Sequence, residues 1–244
     1  MLSSLPRCFL VPGLGCITVG ADARATRVSA EIAARSHSVT ARVLDAFGVV
    51  DWLTERDVFD FEYWPLELYK LQSAPAPCEL SGYVAIVSDA GSELGRVVAT
   101  CLLREGAHLV LVGHDADALK QIAAGCPGMV EIAGSDPVTS AIAAFGGVDI
   151  LVALDPIACD GLDRLGLALQ RQGMVGVVIG LDTINDTTVD LRHPLEDRLR
   201  TNIVRVENGA APSMVAEAIV FLASPHAAFT DGSILSVGSG LAYT

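Results

Sequence analysis

Apolar residues in the second part of this 244-residue chain fall into short, uniform runs that are separated by stretches with helical spacing. The helical patterns are strongest at 94–105, 115–124, 137–145 and 213–223. Strands that are apolar throughout and alternate with helices predict a parallel sheet that is covered on both faces. The apolar runs are YVAIV (83–87), HLVLV (108–112), MVEIA (129–133), DILVAL (149–154), VGVVIG (175–180), NIVRV (202–206) and SILSV (233–237).

The first part of the chain has a different pattern. Residues 8–19 predict two short strands around the turn PGLG, and apolar residues at helical spacing predict a helix over 21–47. Pro65 is placed to begin another short helix. The proline-containing stretch QSAPAPCEL (72–80) is typical of a semi-rigid connector. We therefore predict an extension over residues 1–75 and an α/β domain over residues 80–244.

The stretch VAIVSDAGSELGRVVA (84–99) places a strand, a polar loop and an amphipathic helix in succession. This order is typical of the first turn of a Rossmann fold, so we predict a Rossmann-like, doubly wound α/β architecture with about seven strands. Glycines in such a turn let backbone N–H groups approach a pyrophosphate. Gly91 and Gly95 keep part of that ability, whereas Asp89 and Glu93 add bulk and negative charge. The loop predicts the fold well and cofactor binding weakly.

Asp115 follows the second strand of the α/β domain, in HLVLVGHD. An acidic residue near this point can bind the ribose hydroxyls of a dinucleotide. The same residue can instead cap the helix that begins with ADALKQIA, and capping is the commoner role for an aspartate so placed. Both roles stay open. If a cofactor binds, NAD is the one we expect, and the candidate residues are Ser88, Gly91, Leu94, Gly95 and Asp115.

The charge balance narrows the range of partners. The net charge is −13, and only 16 Lys and Arg are spread along the chain, which argues against nucleic acids and anionic membrane surfaces. The six cysteines form no CxxC pair and have no spacing typical of a metal site, so we predict no metal. Reduced core cysteines in a cytoplasmic protein are the expectation.

Three pieces of the domain resemble the short-chain dehydrogenase/reductase family: VAIVSDAGSELGRVVA, FGGVDILVALDP and SMVAEAIVFLASPHAAFTDGSILSVGSG. The resemblance covers about residues 80–244. The segments LVPGLGCITVGADARATRVSAEIAARS and FDFEYWPLELYKLQ are similar to the connecting region of bifunctional proteins. In those proteins a class II, rhamnulose-phosphate-type aldolase domain precedes a short-chain dehydrogenase domain.

The resemblance implies functional residues that this chain largely lacks. The family's TGxxxGxG falls on residues 88–95, where only Gly95 keeps a glycine of the pattern, and its acidic ribose position falls on Gly113. Its catalytic serine falls on Thr183, which is the weak catalytic candidate. Its Tyr-x-x-x-Lys pair has no counterpart, because no Tyr lies between Tyr83 and Tyr243 and no Lys follows Lys120. The connections after the fourth and fifth strands also look truncated.

Three functions remain open on these grounds. The first is a short-chain-dehydrogenase-like domain that has lost catalysis, uses no cofactor and serves as a scaffold or assembly module. Such a domain would form a homo-oligomer or associate with a separately encoded aldolase. The second is an NAD-dependent oxidoreductase with an atypical active site. The third is a nucleotide-binding domain without chemistry.

Overall fold

The chain divides into two compact units, Met1–Pro77 and Cys78–Thr244. The computed structural model describes residues 5–134, 136–155, 168, 176–183 and 199–238, with only the backbone described at Thr183. Each unit is taken by itself below.

The first unit is an antiparallel hairpin followed by three helices. The hairpin pairs β1 with β2, and the last helix begins at the predicted Pro65. The long first helix is capped at both ends, since Asp22 accepts from the N–H of Ala25 and Gly48 follows the helix in a left-handed conformation with φ 72°. The elements are β1 Cys8–Val11, β2 Gly15–Thr18, α1 Ala23–Phe47, α2 Glu55–Glu62 and α3 Pro65–Gln72.

Helix α2 was not predicted from the sequence. It begins with a capping box, in which the Thr54 hydroxyl accepts from the Asp57 N–H and the Asp57 carboxylate accepts from the Thr54 N–H. No described residue of this unit is buried within the chain. Large side chains such as those of Phe47, Trp52 and Leu53 are more than two thirds exposed.

The second unit contains a seven-stranded sheet in which every pair is parallel, with the order β5-β4-β3-β6-β7-β8-β9. The predicted doubly wound fold with about seven strands and an N-terminal hairpin is confirmed. The elements are β3 Val84–Val87, α4 Glu93–Arg104, β4 His108–Leu111, α5 Ala116–Gly125, β5 Val130–Ile132, α6 Pro137–Phe145, β6 Ile150–Ala153, β7 Gly176–Thr183, β8 Leu199–Val206, α7 Pro212–Ala223 and β9 Ile234–Val237.

Both faces of this sheet are buried, which explains why the strands are apolar throughout. In β3, Ala85 and Val87 pack into a cluster with residues of α4 and α7, whereas Val84 and Ile86 pack into a second cluster with residues of α6. Alternate side chains of a strand point to opposite faces, so each strand supplies both clusters. None of the helices within the described ranges is both long and apolar enough to cross a membrane.

Asp149 joins the two central strands at their amino ends. Its carboxylate accepts a hydrogen bond from the backbone N–H of Val84 over 2.8 Å. Burial raises the pKa of this carboxyl above its ordinary value, against the opposing effect of that hydrogen bond. The carboxylate therefore accepts the hydrogen bond of Val84, but its negative charge is disfavoured by burial.

The cysteines correct one expectation. Cys101 is buried in the core, as predicted, but Cys8, Cys16 and Cys78 are exposed. The prediction of core cysteines is therefore wrong for these three, because the hairpin and connector positions that carry them lie at the surface. Cys159 lies outside the described residues.

Candidate functional site

The strand order places a crevice between the carboxyl ends of β3 and β6. The chain runs from β3 outward to β4 and β5, and then returns to β6 on the other side of β3. Ligands of open α/β sheets bind where the strand order reverses in this way. The loop Ser88–Gly95 follows β3 at this point, so the sequence-predicted loop lies where a dinucleotide would be bound.

Ser88 is buried and links the two central strands. Its N–H donates to the carbonyl of Val152 over 3.0 Å, and its hydroxyl accepts from the N–H of Leu154 over 2.9 Å. The N–H and the hydroxyl oxygen of Ser88 therefore both hold the loop to β6 and the residue that follows it. The structure assigns Ser88 a structural bond at the crevice, and its part in cofactor binding stays a prediction.

Asp89 occupies a conformation that normally favours glycine. Its φ of 46° is the one positive φ of a non-glycine residue in the described part of the chain. The carbonyl of Asp89 accepts from the N–H and from the hydroxyl of Ser92, over 3.1 and 2.8 Å. The loop thus turns tightly with an aspartate where the family pattern has glycine.

Gly95 is required by close packing between this loop and α4. A Cβ at Gly95 would lie 2.2 Å from the carbonyl oxygen of Asp89 and 2.7 Å from the Cα of Ala90. No side chain fits there, so this glycine serves the approach of helix to strand. It is the one glycine of the family pattern that the sequence keeps.

Gly91 and Gly113 bring the loop against the end of β4. A Cβ at Gly113 would lie 3.2 Å from the N of Gly91, and a Cβ at Gly91 would lie 3.0 Å from the Cβ of Asp115. The structure therefore brings Gly91 and Asp115, two of the candidate residues, side by side. The carboxylate of Asp115 caps α5, accepting from the N–H groups of Asp117 and Ala118 over 3.2 and 3.0 Å. Of the two roles left open for Asp115, the structure shows the cap, and ribose binding stays a prediction.

The first turn of α4 partly satisfies its own N–H groups. An α-helix leaves its first four N–H groups without helical partners, and these can bind an anion. Here Ser92 donates its N–H to Asp89 and accepts from the N–H of Gly95 over 3.0 Å. Of these four groups, those of Glu93 and Leu94 remain for a ligand. The side chain of Leu94 packs against the core.

Two further acidic groups lie at the same edge of the sheet. Asp155 follows β6, and its Oδ1 is buried without a hydrogen-bond partner in the described structure. Asp182, near the end of β7, is buried and accepts from Nε of Arg205 in β8 over 2.9 Å. Strand register explains the second contact, since Asp182 and Arg205 are paired positions.

Thr183, the weak catalytic candidate, ends β7 and lies next to Asp182 in the chain. Its side chain lies outside the described residues, as do the two connections that look truncated in the sequence. The position after the end of a parallel strand agrees with the place where such sheets carry functional groups. The role of Thr183 stays a prediction.

Comparison with known proteins accounts for both parts of the chain. Residues 1–71 match the family model "Aldolase class II, second domain". The uncharacterized oxidoreductase YuxG of Bacillus subtilis (strain 168) is 28% identical over 166 residues, which are 62% of this chain and 24% of that protein. The chain thus covers about a quarter of the length of this relative.

Three solved structures that resemble the fold are named as dehydrogenases. A short-chain dehydrogenase/reductase of the glucose/ribitol dehydrogenase type from Brucella melitensis has a TM-score of 0.53 at 20% identity, with 68% of this chain and 98% of the other covered. Hydroxysteroid dehydrogenase from Escherichia coli has a TM-score of 0.58 at 20% identity, covering 68% and 99%. The likeness to the short-chain dehydrogenase fold is confirmed.

A third neighbour was solved with a cofactor. It is a 7α-hydroxysteroid dehydrogenase complexed with NADH and 7-oxo glycochenodeoxycholic acid, with a TM-score of 0.55, 18% identity, and 66% and 95% of the two chains covered.

The resemblance of the first unit to the aldolase part of bifunctional proteins is likewise confirmed by the family match.

Proposed function

We propose that the second unit is a short-chain-dehydrogenase-like domain that no longer performs hydride transfer and serves as a structural or assembly module. The observation that carries the proposal is the loop after β3, where carboxylates replace glycines at the helix terminus that would bind phosphate. Asp89 and Glu93 stand where the family pattern has glycines. This arrangement fits the two negative phosphates of a dinucleotide poorly.

Electrostatics support the same proposal. Asp89, Glu93 and Asp115 all lie on the loop or beside it, and Asp155 follows the neighbouring strand β6. Arg205 lies on β8, the third strand from β3, and is already paired with Asp182. Arg96, which follows Gly95 in α4, is a basic residue beside the loop, and its side chain is exposed. Like charges repel, so phosphate binding at two remaining N–H groups of α4 would have to overcome this acidic surrounding.

The missing acid–base pair is a second, independent support. In the family, the lysine of Tyr-x-x-x-Lys lowers the pKa of the tyrosine, which exchanges a proton with the substrate. This chain has no Tyr between Tyr83 and Tyr243 and no Lys after Lys120. Hydride transfer would therefore lack the proton donor on which the family relies.

The experiment uses a variant that restores the family glycines. Asp89→Gly and Glu93→Gly together remove both carboxylates and also relieve the positive φ of Asp89. Equilibrium dialysis of NADH against the native chain and the double variant compares their affinities. We expect no saturable binding to the native chain and a measurable gain in the variant. Micromolar binding to the native chain would refute the proposal, and a screen of alcohols and aldehydes would follow.

The first unit supports the assembly role. It matches the second domain of class II aldolases, and none of its described residues is buried within the chain. Exposed aromatic side chains such as those of Phe47, Trp52 and Tyr69 favour protein contact. We therefore propose association with an aldolase. Sedimentation of the chain alone and mixed with a class II aldolase should show a complex only in the mixture, and independent sedimentation would count against it.

A further inference from the structure

Two thiols face each other across the hairpin of the first unit. Cys8 begins β1 and Cys16 lies in β2, and the strands pair Cys8 with Thr18 and Leu10 with Cys16. The two cysteines are thus diagonal neighbours on one face of the ribbon. Their Sγ atoms are 3.3 Å apart and share an S–H···S hydrogen bond in which either sulfur can donate.

The thiols are held in place and remain accessible. The hairpin ladder fixes β1 against β2, and further backbone bonds join Val19 to Arg7 and Leu14 to Val11, over 3.0 and 3.1 Å. Both cysteines are exposed, so a small reagent can reach either sulfur. A disulfide has an S–S length of about 2.05 Å, so the sulfurs need to approach by little more than one ångström.

The hydrogen bond also affects the acidity of the Cys16 thiol. Sharing it with Cys8 raises the pKa of the Cys16 thiol above its ordinary value. Cys16 therefore keeps its proton to higher pH. The thiolate is the attacking species in disulfide exchange, so the raised pKa slows attack by Cys16.

We propose that Cys8 and Cys16 are a reversible dithiol–disulfide pair, oxidised by exchange with a low-molecular-weight disulfide such as oxidised glutathione. The thiolate of Cys8 attacks one sulfur of the reagent, and its S–S bond breaks to release one thiolate. The thiolate of Cys16 then attacks Sγ of Cys8 in the mixed disulfide and releases the second. The protein loses two protons and two electrons, and the reagent gains them as two thiols.

Oxidation would tie the two strands of the hairpin covalently. This hairpin contacts the start of α1, where the Thr18 hydroxyl donates to the carbonyl of Thr26 over 3.2 Å. A link between exposed strands restrains that end of the first unit, whose aldolase-like segment we expect to contact a partner. Exposed disulfides of this kind are the labile, regulatory class rather than the permanent one.

The sequence provides a direct experiment on the full chain. Arg7 precedes Cys8, and the next basic residue is Arg24, so trypsin releases both cysteines in the single peptide CFLVPGLGCITVGADAR. The native protein is equilibrated with mixtures of oxidised and reduced glutathione, alkylated and digested. We expect this peptide to lose two hydrogens and to escape alkylation as the proportion of oxidised glutathione rises.

Matched variants distinguish a specific Cys8–Cys16 disulfide from general reactivity of exposed thiols. Cys8→Ser should leave Cys16 with a single glutathione adduct and no internal link, whereas Cys78→Ser, at the other exposed cysteine of the described residues, should leave closure unchanged. Circular dichroism checks that each variant is folded. The proposal is overturned if the native peptide carries two glutathiones, takes two alkyl groups throughout, or forms links between chains. It is also overturned if the disulfide forms as readily in urea as in the folded protein. The fold should favour formation of the disulfide roughly tenfold or more.

Discussion

Replacing Gly95 by alanine tests the packing of the loop against α4. Gly95 is buried in the first turn of that helix, and an added methyl would lie 2.2 Å from the carbonyl oxygen of Asp89. It would also lie 2.7 Å from the Cα of Ala90, so both clashes involve backbone atoms that cannot swing aside. Because carbon atoms pack at about 3.5–4.0 Å, the helix must move away by roughly 1 Å.

The magnitude follows from two opposing effects. Overpacking a well-packed core costs about 1–3 kcal/mol, and the upper end applies because Val98 and Leu102 of α4 are fully buried. Alanine is favoured over glycine inside a helix by about 1 kcal/mol, which offsets part of this. We expect a net loss of about 2 kcal/mol in the free energy of unfolding. In a unit of this size that lowers Tm by about 4–8 °C.

The assay is urea unfolding of the full chain, followed by far-ultraviolet circular dichroism. Gly125→Ala is the matched control, since Gly125 is the last residue of α5 and nothing lies within 4 Å of an added Cβ. This control should be unchanged or stabilised by up to about 1 kcal/mol. Equal stability of the two variants would refute the close approach of Asp89 to α4.

Three further sets of substitutions test other contacts. Asp149→Ala should lose about 1–3 kcal/mol because the N–H of Val84 loses its acceptor, whereas Asp149→Asn keeps an acceptor without the charge. The raised pKa of Asp149 means that the folded state holds this proton more tightly. Native stability should therefore fall relative to Asp149→Asn as pH rises from about 3.8 through that pKa, and a parallel pH dependence would contradict this. Ser92→Ala should cost about 1 kcal/mol through loss of the α4 cap, with Ser92→Thr as the tolerated control. A double-mutant cycle on Asp182 and Arg205 should give a coupling of about 1–2 kcal/mol in urea titrations, and additive losses would show that the pair is weak.

Hydrophobic pattern predicted the sheet because both of its faces are buried. The runs at 108–112 and 149–154 contain β4 and β6 to within one residue at each end. β8 begins three residues earlier than predicted. Its first residues, Leu199–Thr201, are not a uniformly apolar run, yet they pair with β7. That pairing depends on a partner strand, which local sequence does not specify.

The site was predicted only where local geometry determines it. Asp115 caps the helix that it precedes, and chain order alone places it there. The positive φ of Asp89 and the burial of Oδ1 of Asp155 arise from tertiary packing, and no pattern in the sequence predicts them. Helix α2 was missed although Thr54 and Asp57 carry the spacing of a capping box, because the aromatic residues that follow obscure its periodicity.

The central claim is that the crevice after β3 no longer accepts a dinucleotide. Calorimetric titration tests this most directly. The native chain is titrated with NAD⁺, NADH, NADP⁺ and NADPH at two temperatures, because the binding enthalpy can be close to zero at one of them. The account predicts no saturable heat with any of the four. Saturable binding of NADH at micromolar strength would contradict it and return the domain to the nucleotide-binding proteins.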